Sequence, residues 1–325
     1  MIAPVFSLLK SLEEFNPSND YVLAVIIDTK GSTYQKTGAM MLIDDELNYW
    51  GLLSGGCLEG DICLHSESVF NQKQGKTLNY NMRDEADKLW GMGLGCDGEI
   101  TVLLKYLPSN QQHLSFFSIL DLVRAGSSHY LSIDKDDSNQ IIYIQTNNIP
   151  SKLNDKKHYF LLKAPHHLLI CGAAPDVLPV TAIAHQIGWK TTIIDHRAAF
   201  ADNHLFPLAE DVTHIKRSAW NNYDLSPFDS VVIMSHQYER DQSYLKKLLT
   251  SSIKYIGLLG PSKRRDKLLE DCGTHFSEYE NRVFAPIGLD IGADSPETIA
   301  LAIVSEIQAV INNKKTSHCY QDQTR

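Results

Sequence analysis

Residues 167–197 read HLLICGAAPDVLPVTAIAHQIGWKTTIIDHR. LLICGAA is an apolar run entering a glycine turn, VLPVTAIAHQIG has the composition of a packed helix, and TTIIDHR is a second apolar run. A fully apolar strand must be covered on both faces, and a helix between two such strands covers one of them. The unit therefore predicts a parallel pair with a helical crossover. The same alternation continues downstream. DSVVIMSH and YIGLLG read as further strands, YLKKLLTSS and KRRDKLLEDCG as helices, and SPETIALAIVSEIQAVINN as a long closing helix. This half of the chain, 151–315, is expected to be a Rossmann-like parallel-sheet domain, with 316–325 a polar tail.

The first half follows a different pattern. YVLAVIIDTKGS, AMMLID, NYWGLLSGG, KTLNYNM and EITVLLKYL are strand-like runs bounded by Gly, Asn or Asp, as expected for strands of one sheet. LEGDICLHSESVFNQKQG and HLSFFSILDLVRAG carry helical spacing and stop at glycines, and HYLSID and QIIYIQT add two strands. The polar stretch NNIPSKLNDKKH marks the boundary. The expected class is α/β overall: an N-terminal α+β domain with a mixed sheet over 1–150, followed by the Rossmann-like domain. A length of 325 residues, at roughly 150 per domain, agrees with two cores.

With 30 Lys and Arg against 39 Asp and Glu, the net charge of −9 repels a phosphate backbone, which argues against a nucleic-acid partner. The apolar run YVLAVII is far shorter than the roughly 20 residues of a membrane span, and the first residues lack a basic n-region. Six cysteines without CxxC spacing read as reduced thiols. A cytoplasmic protein with no membrane partner is expected, and closed two-fold assembly, the commonest soluble oligomer, predicts a homodimer.

Three features, spread over five loops, could carry chemistry. The turn CGAAPDV at 171–177, with Gly172 as its glycine, is followed by Asp195 at the end of the next strand, the spacing at which a dinucleotide site places its ribose-binding acid. Ala174 and Val177 stand where the fingerprint has glycine, and Pro175 lacks an N–H donor. These features argue against tight NAD(P) binding. SGGCLEGD places Cys57 between glycines and the Glu59/Asp61 pair at a helix start, where the dipole favours a thiolate. GSTYQKTGAMM, with Ser32, and MGLGCDGEI, with Cys96, are further Gly-rich loops, and three such loops in one small domain imply a ligand site. In GLLGPSKRRDK, Ser262 is placed to cap a helix whose first turn holds Lys263, Arg264 and Arg265. Cations are disfavoured there, so an anion is expected, and neutralising both arginines should leave stability unaltered or improved. The histidines show no metal-ligand spacing, and no metal site is assigned.

Taken together, these loops resemble the xanthine dehydrogenase accessory factor family, XdhC/CoxI, over nearly the full chain. SGGCLEGD resembles the family's SGGCVEGD, GLGCDG its GLxCGG with Asp97 for a glycine, and GSTYQKTGAMMLI its GSSPRPPGARM-type loop with Gln35, Lys36 and Thr37 in place of Arg and Pro positions. IIDHR, MSHQYERD, YIGLLGPSKRR and PIGLDIGADSPETIALAIVSEI are similar to its later signatures. The resemblance implies a cofactor chaperone more than a catalyst. Such a protein binds molybdenum cofactor, a pyranopterin dithiolene with a terminal phosphate, holds it during sulfuration by a cysteine desulfurase, and delivers it to a molybdenum hydroxylase apoenzyme. It implies Cys57 as the central thiol, Gly55, Gly56 and Glu59 as its turn, and Cys96 as a second thiol. Asp195, Arg197, His236, Asp241, Arg264 and Arg265 are implied to line a cleft facing the Rossmann domain, with Ser32 and Gly172 as further cofactor-binding candidates. Two other classes are weighed beside it: an NAD(P)-dependent oxidoreductase and a non-catalytic docking protein.

Overall fold

The structure, a computed structural model, describes residues 5–82, 98–134 and 156–314, and the backbone of 2–3 and 141–145. It divides into two units, Met1–Pro165 and His166–Arg325.

The first unit contains, in chain order, β1 (Ile2–Ala3), α1 (Phe6–Lys10), β2 (Tyr21–Gly31), β3 (Met40–Asp44), β4 (Tyr49–Gly51), α2 (Glu59–Gln72), β5 (Lys76–Asn81), β6 (Gly98–Leu107), α3 (Phe116–Arg124), β7 (His129–Asp134), β8 (Ile141–Gln145) and β9 (Lys157–Leu162). Five strands form an antiparallel sheet in the order β4-β3-β2-β6-β5, which joins the five runs expected to share one sheet. Successive side chains of a strand point to opposite faces, and here both faces are buried. Val22, Ala24, Ile26, Met41, Ile43 and Val102 pack with Ile62, Cys63 and Val69 of α2. Tyr21, Leu23, Val25, Met40, Leu42 and Leu103 pack with Leu8 of α1 and Phe116 and Leu120 of α3. Leu131, Ile133, Phe160 and Leu162 close that second core from a smaller mixed sheet, β1-β9-β7-β8. Because β9 pairs with β7, it belongs to this unit, and the observed division lies C-terminal to it rather than at residue 150.

The second unit contains β10 (His167–Cys171), α4 (Val177–Gln186), β11 (Lys190–Asp195), β12 (Asp211–His214), β13 (Ser230–Ile233), α5 (Tyr238–Leu249), β14 (Tyr255–Leu258), α6 (Ser262–Asp271), β15 (Val283–Phe284) and α7 (Pro296–Ile311). All its strand pairs are parallel, in the order β12-β11-β10-β13-β14-β15. This is the doubly wound Rossmann order, in which the chain reverses its direction of growth between β10 and β13. Val180 and Ala184 of α4 pack with Ala300, Ile303 and Ile307 of α7 on one face. Tyr244, Leu248, Leu268 and Leu269 of α5 and α6 cover the other. The closing helix starts at Ser295, whose hydroxyl accepts the Thr298 N–H at 3.3 Å. By contrast, Ser262 is the first residue of α6 and provides no side-chain cap; Pro261 holds the N-cap position.

Candidate functional site

In the first unit, residues 53–59 form a turn closed by two side chains. The Glu59 carboxylate, buried at the start of α2, accepts the N–H groups of Leu53 and Ser54 at 3.0 and 2.7 Å and the Ser54 hydroxyl at 2.5 Å. The same Ser54 Oγ accepts the Cys57 and Leu58 N–H groups, each at 3.0 Å. Helix α2 has no side-chain N-cap; Ser54 instead takes the N–H groups of Leu58, at the N-cap position, and of Cys57 just before it. Burial pushes the Glu59 pKa up, but the hydrogen bonds from Ser54 and Leu53 outweigh it and hold the carboxyl below its ordinary value. The result is a backbone fixed at Cys57 with its thiol exposed. Cys63, one turn and a half further along, is buried, and burial with nearby Glu59 and Asp44 pushes its thiol up to about 11.

The Gly31–Gly38 loop adjoins this turn. A register shift between Ile26 and Asp28 bends the end of β2, as bulges beside sites commonly do. A Cβ on Gly55 would lie 3.8 Å from the Tyr34 ring, which is 59% exposed. On the other side, a Cβ on Gly98 would lie 2.4 Å from the Ser32 carbonyl oxygen. Ser32, Tyr34, Gly55 and the first residue after the GLGCD loop are thus brought to one edge of the sheet. Cys96 itself lies outside the described residues.

In the second unit, the residues after β10, β11, β13 and β14 converge at the switch point. Gly172, at φ +130°, lies so close to β13 that a Cβ would sit 2.5 Å from the Met234 carbonyl oxygen. The buried Asp195 accepts the Ala173 N–H at 2.8 Å, the Arg197 N–H at 2.8 Å, and the Arg197 Nε and Nη2 at 3.0 and 2.7 Å. Burial raises the Asp195 pKa and these contacts more than offset it, leaving the carboxyl below its ordinary range. Asp195 therefore clamps the glycine turn to Arg197, and the acid that spacing assigns to a ribose is fully engaged by protein donors. The Asp176 carboxylate, at the start of α4, pairs with His236 Nε2 at 2.8 Å. His236 holds φ +59°, uncommon for a residue with a side chain.

Next to it, the Ser235 hydroxyl and Arg264 Nη2 share the buried Asp241 carboxylate, at 2.5 and 2.6 Å. His236, Asp241, Arg264 and Gly260 border a cavity of about 190 Å³. Arg265 turns away: its Nη1 donates to the Ala285 carbonyl at 2.8 Å, and its guanidinium lies 3.7 Å from the Phe276 ring centre. The structure thus gathers Gly172, Asp195, Arg197, His236, Asp241 and Arg264 at one edge of the second unit, with Arg265 beside them on α6. Ser32, Gly55, Gly56, Cys57 and Glu59 lie in the first unit. Ser54, Asp176 and Ser235 escaped the sequence reading. A serine five residues before a helix-starting Glu was the available signal for Ser54; an acid in the first turn after the glycine was the signal for Asp176.

Residues 168–307 match the XdhC Rossmann domain, and residues 16–81 match the XdhC and CoxI family. The chain is 31% identical over 309 residues to a protein of Bacillus subtilis named as a probable xanthine dehydrogenase subunit, covering 88% of this chain and 92% of that one. It is 21% identical to the molybdenum cofactor insertion chaperone PaoD of Escherichia coli, covering 92% of this chain and 86% of PaoD. A crystal structure of a protein named a xanthine dehydrogenase, from Bacillus halodurans, superposes with a TM-score of 0.82 at 29% identity, covering 96% of both chains. A Rossmann half and a Cys57-bearing sheet half, each matched in sequence and together matched in fold, make this chain a member of the XdhC and CoxI family.

Proposed function

We propose that the protein is an accessory factor that binds molybdenum cofactor as cargo and supports its sulfuration and insertion into a xanthine dehydrogenase-type hydroxylase. The observation that carries this reading is the exposed Cys57 thiol on a turn fixed by Ser54 and Glu59. A soft thiolate suits molybdenum and dithiolene sulfur, and a turn held by buried hydrogen bonds presents it without reorganisation. Gly55 and Gly56 leave room at the turn, Ser32 adds a hydroxyl on the neighbouring loop, and Cys96 belongs to the same group by its sequence motif. In the second unit, Asp195 and Arg197 hold the Gly172 turn, while His236, Asp241 and Arg264 border the cavity. The name of the Escherichia coli relative supports the cargo, and that of the Bacillus subtilis relative supports the client class.

The full occupation of Asp195 by protein donors favours this reading over NAD(P)-dependent oxidoreduction, because a ribose hydroxyl finds no free acceptor there. A cysteine desulfurase as sulfur donor, a homodimer and a cytoplasmic location complete the proposal. Anaerobic purification from a molybdenum-replete host should yield bound molybdopterin with the native chain and with Cys63→Ala, and markedly less with Cys57→Ala. Equal content in the two variants, or micromolar NADH or NADPH affinity with turnover, overturns it. A purely docking protein would carry no molybdopterin at all.

A further inference from the structure

Beyond the ends of β14 and β15, the second unit holds a larger cavity of about 570 Å³. Its walls are mostly apolar, from Leu259, Pro261, Pro286, Ile287, Leu289 and Ile299, and Asp290 is the one charged side chain among the residues that line it. It shares Leu259 and Gly260 with the smaller cavity of His236 and Arg264, so the two are neighbours along one edge of the sheet.

The loop that carries Asp290 is fixed from below. Gly288, at φ +97°, donates its N–H to Glu306 Oε2 at 3.0 Å, the oxygen that also takes the Tyr255 hydroxyl at 2.5 Å. The Leu289 N–H donates to the Ala302 carbonyl at 3.2 Å. Ile287 packs over Gly257, where a Cβ would lie 2.2 Å from Ile287 Cδ1. The acids at the neighbouring strand ends are each engaged: Asp176 by His236, Asp195 by Arg197 and Asp241 by Arg264. Asp290 is exposed and has no hydrogen-bond or ion-pair partner among the described residues.

A carboxylate at the rim of an apolar cavity selects by hydrogen-bond pattern. Its two oxygens accept two parallel N–H groups, as they do from a guanidinium. A metal ion would meet one carboxylate and a wall that replaces none of its water. A phosphate would meet like charge. A flat heterocycle with an N–H and an amino group on adjacent atoms fits both the wall and the acid, and the volume lies within the range of small-molecule sites. We propose that this cavity seats an amino-substituted ring through its donor edge, with Asp290 as the acceptor. Its other end would then face the Arg264 side. Resting on the cofactor reading for the choice of ring, it places the pteridine end of the cargo, and not its phosphate, in the Asp290 cavity.

The test uses the full chain and two fluorescent probes: pterin, which carries the amino group, and lumazine, which has an oxygen in its place. Pterin should bind about tenfold more tightly, because lumazine turns an acceptor toward the carboxylate. Asp290→Asn should bring the ratio close to one without changing the thermal midpoint. Ala293→Leu, which fills the cavity from a second wall residue, should weaken pterin binding about fivefold or more. Equal affinities in the native chain, no binding of either probe, an unchanged ratio in Asp290→Asn, or unchanged pterin affinity in Ala293→Leu each overturn the proposal. Failure here with molybdopterin still co-purifying removes this site and leaves the cargo reading intact. A pterin preference without co-purified molybdopterin does the reverse.

Discussion

Asp241 and Arg264 form a contact at the base of the switch-point cavity, with Nη2 donating at 2.6 Å to a carboxylate that is 1% exposed. Its other oxygen takes the Ser235 hydroxyl. Removing one member of a buried pair leaves the other charge uncompensated, at a cost of about 3–5 kcal/mol. Arg264 is partly exposed, so Arg264→Gln should fall at the low end of that range, and Asp241→Asn should also destabilise. Arg265→Gln should cost about 1 kcal/mol, since it loses one carbonyl contact, an aromatic face and a half-exposed pair with the adjacent Asp266. This reverses the sign that the helix dipole alone gives for neutralising both arginines. Thermal unfolding of the three single variants checks it, and an unchanged midpoint for Arg264→Gln would restore the dipole argument.

The described thiols should differ sharply in reactivity. Cys57 is exposed, while Cys63 and Cys171 are buried and burial holds both thiols well above their ordinary pKa. Alkylation follows thiolate fraction and access. Iodoacetamide at mildly alkaline pH should therefore label Cys57 fastest of these three, with Cys63 and Cys171 labelled only on unfolding. Peptide mass spectrometry over a time course reads each site separately, and labelling of Cys63 at the rate of Cys57 would show that α2 is not packed as described.

The parts of this architecture that a sequence reader can see are those with enough apolar surface to leave a period. β2, β3, β6 and the strands β10, β11, β13 and β14 are such elements. β1 and β15 are two residues long, and β12 is four residues at a sheet edge with one buried side chain, so they carry too few contacts to impose a pattern. β9 begins Lys157-His158-Tyr159, which reads as the end of a polar linker, and only its pairing with β7 places it in the first unit. At the site, Cys57 and Glu59 are legible because the Gly turn meets a helix start. The engagement of Asp195 is not, since spacing gives the position of an acid but not which donors take its lone pairs.

Acid should expose the two engaged carboxylates. Glu59 and Asp195 both have folded-state pKa values below their unfolded ones. A depressed pKa contributes stability above the unfolded value, near 4, and that contribution is lost as pH falls through the folded value. Stability should therefore be flat above about pH 5 and decline below about pH 4. Glu59→Gln should be less stable at neutral pH by about 1–3 kcal/mol, because the Leu53 and Ser54 N–H groups lose their charged acceptor, and its acid slope should be shallower than that of the native chain. Denaturant midpoints between pH 3 and pH 7 measure both. A Glu59→Gln curve parallel to the native one would mean that the carboxylate is not engaged as the turn requires.

Gly172 should tolerate no side chain. Its φ of +130° lies where L residues are strained, and a Cβ would approach the Met234 carbonyl oxygen to 2.5 Å and Ser235 Cα to 2.7 Å. Both neighbours are backbone, in the residues that directly follow β13 at the switch point, so relief requires the ends of β10 and β13 to move apart rather than a rotamer to change. Strain of this kind costs about 1–3 kcal/mol before any loss of packing. The displacement would also shift the Ala173 N–H, which donates to Asp195, and Ser235, which donates to Asp241. Gly172→Ala should thus lower the thermal midpoint by several degrees and loosen both carboxylate clusters together. Gly56 provides the control: it too has positive φ, at +100°, but nothing lies within 4 Å of its Cβ position. Gly56→Ala should incur backbone strain alone and lose less stability. Equal losses for the two variants would mean that conformation, and not the approach of β13, fixes the glycine at 172.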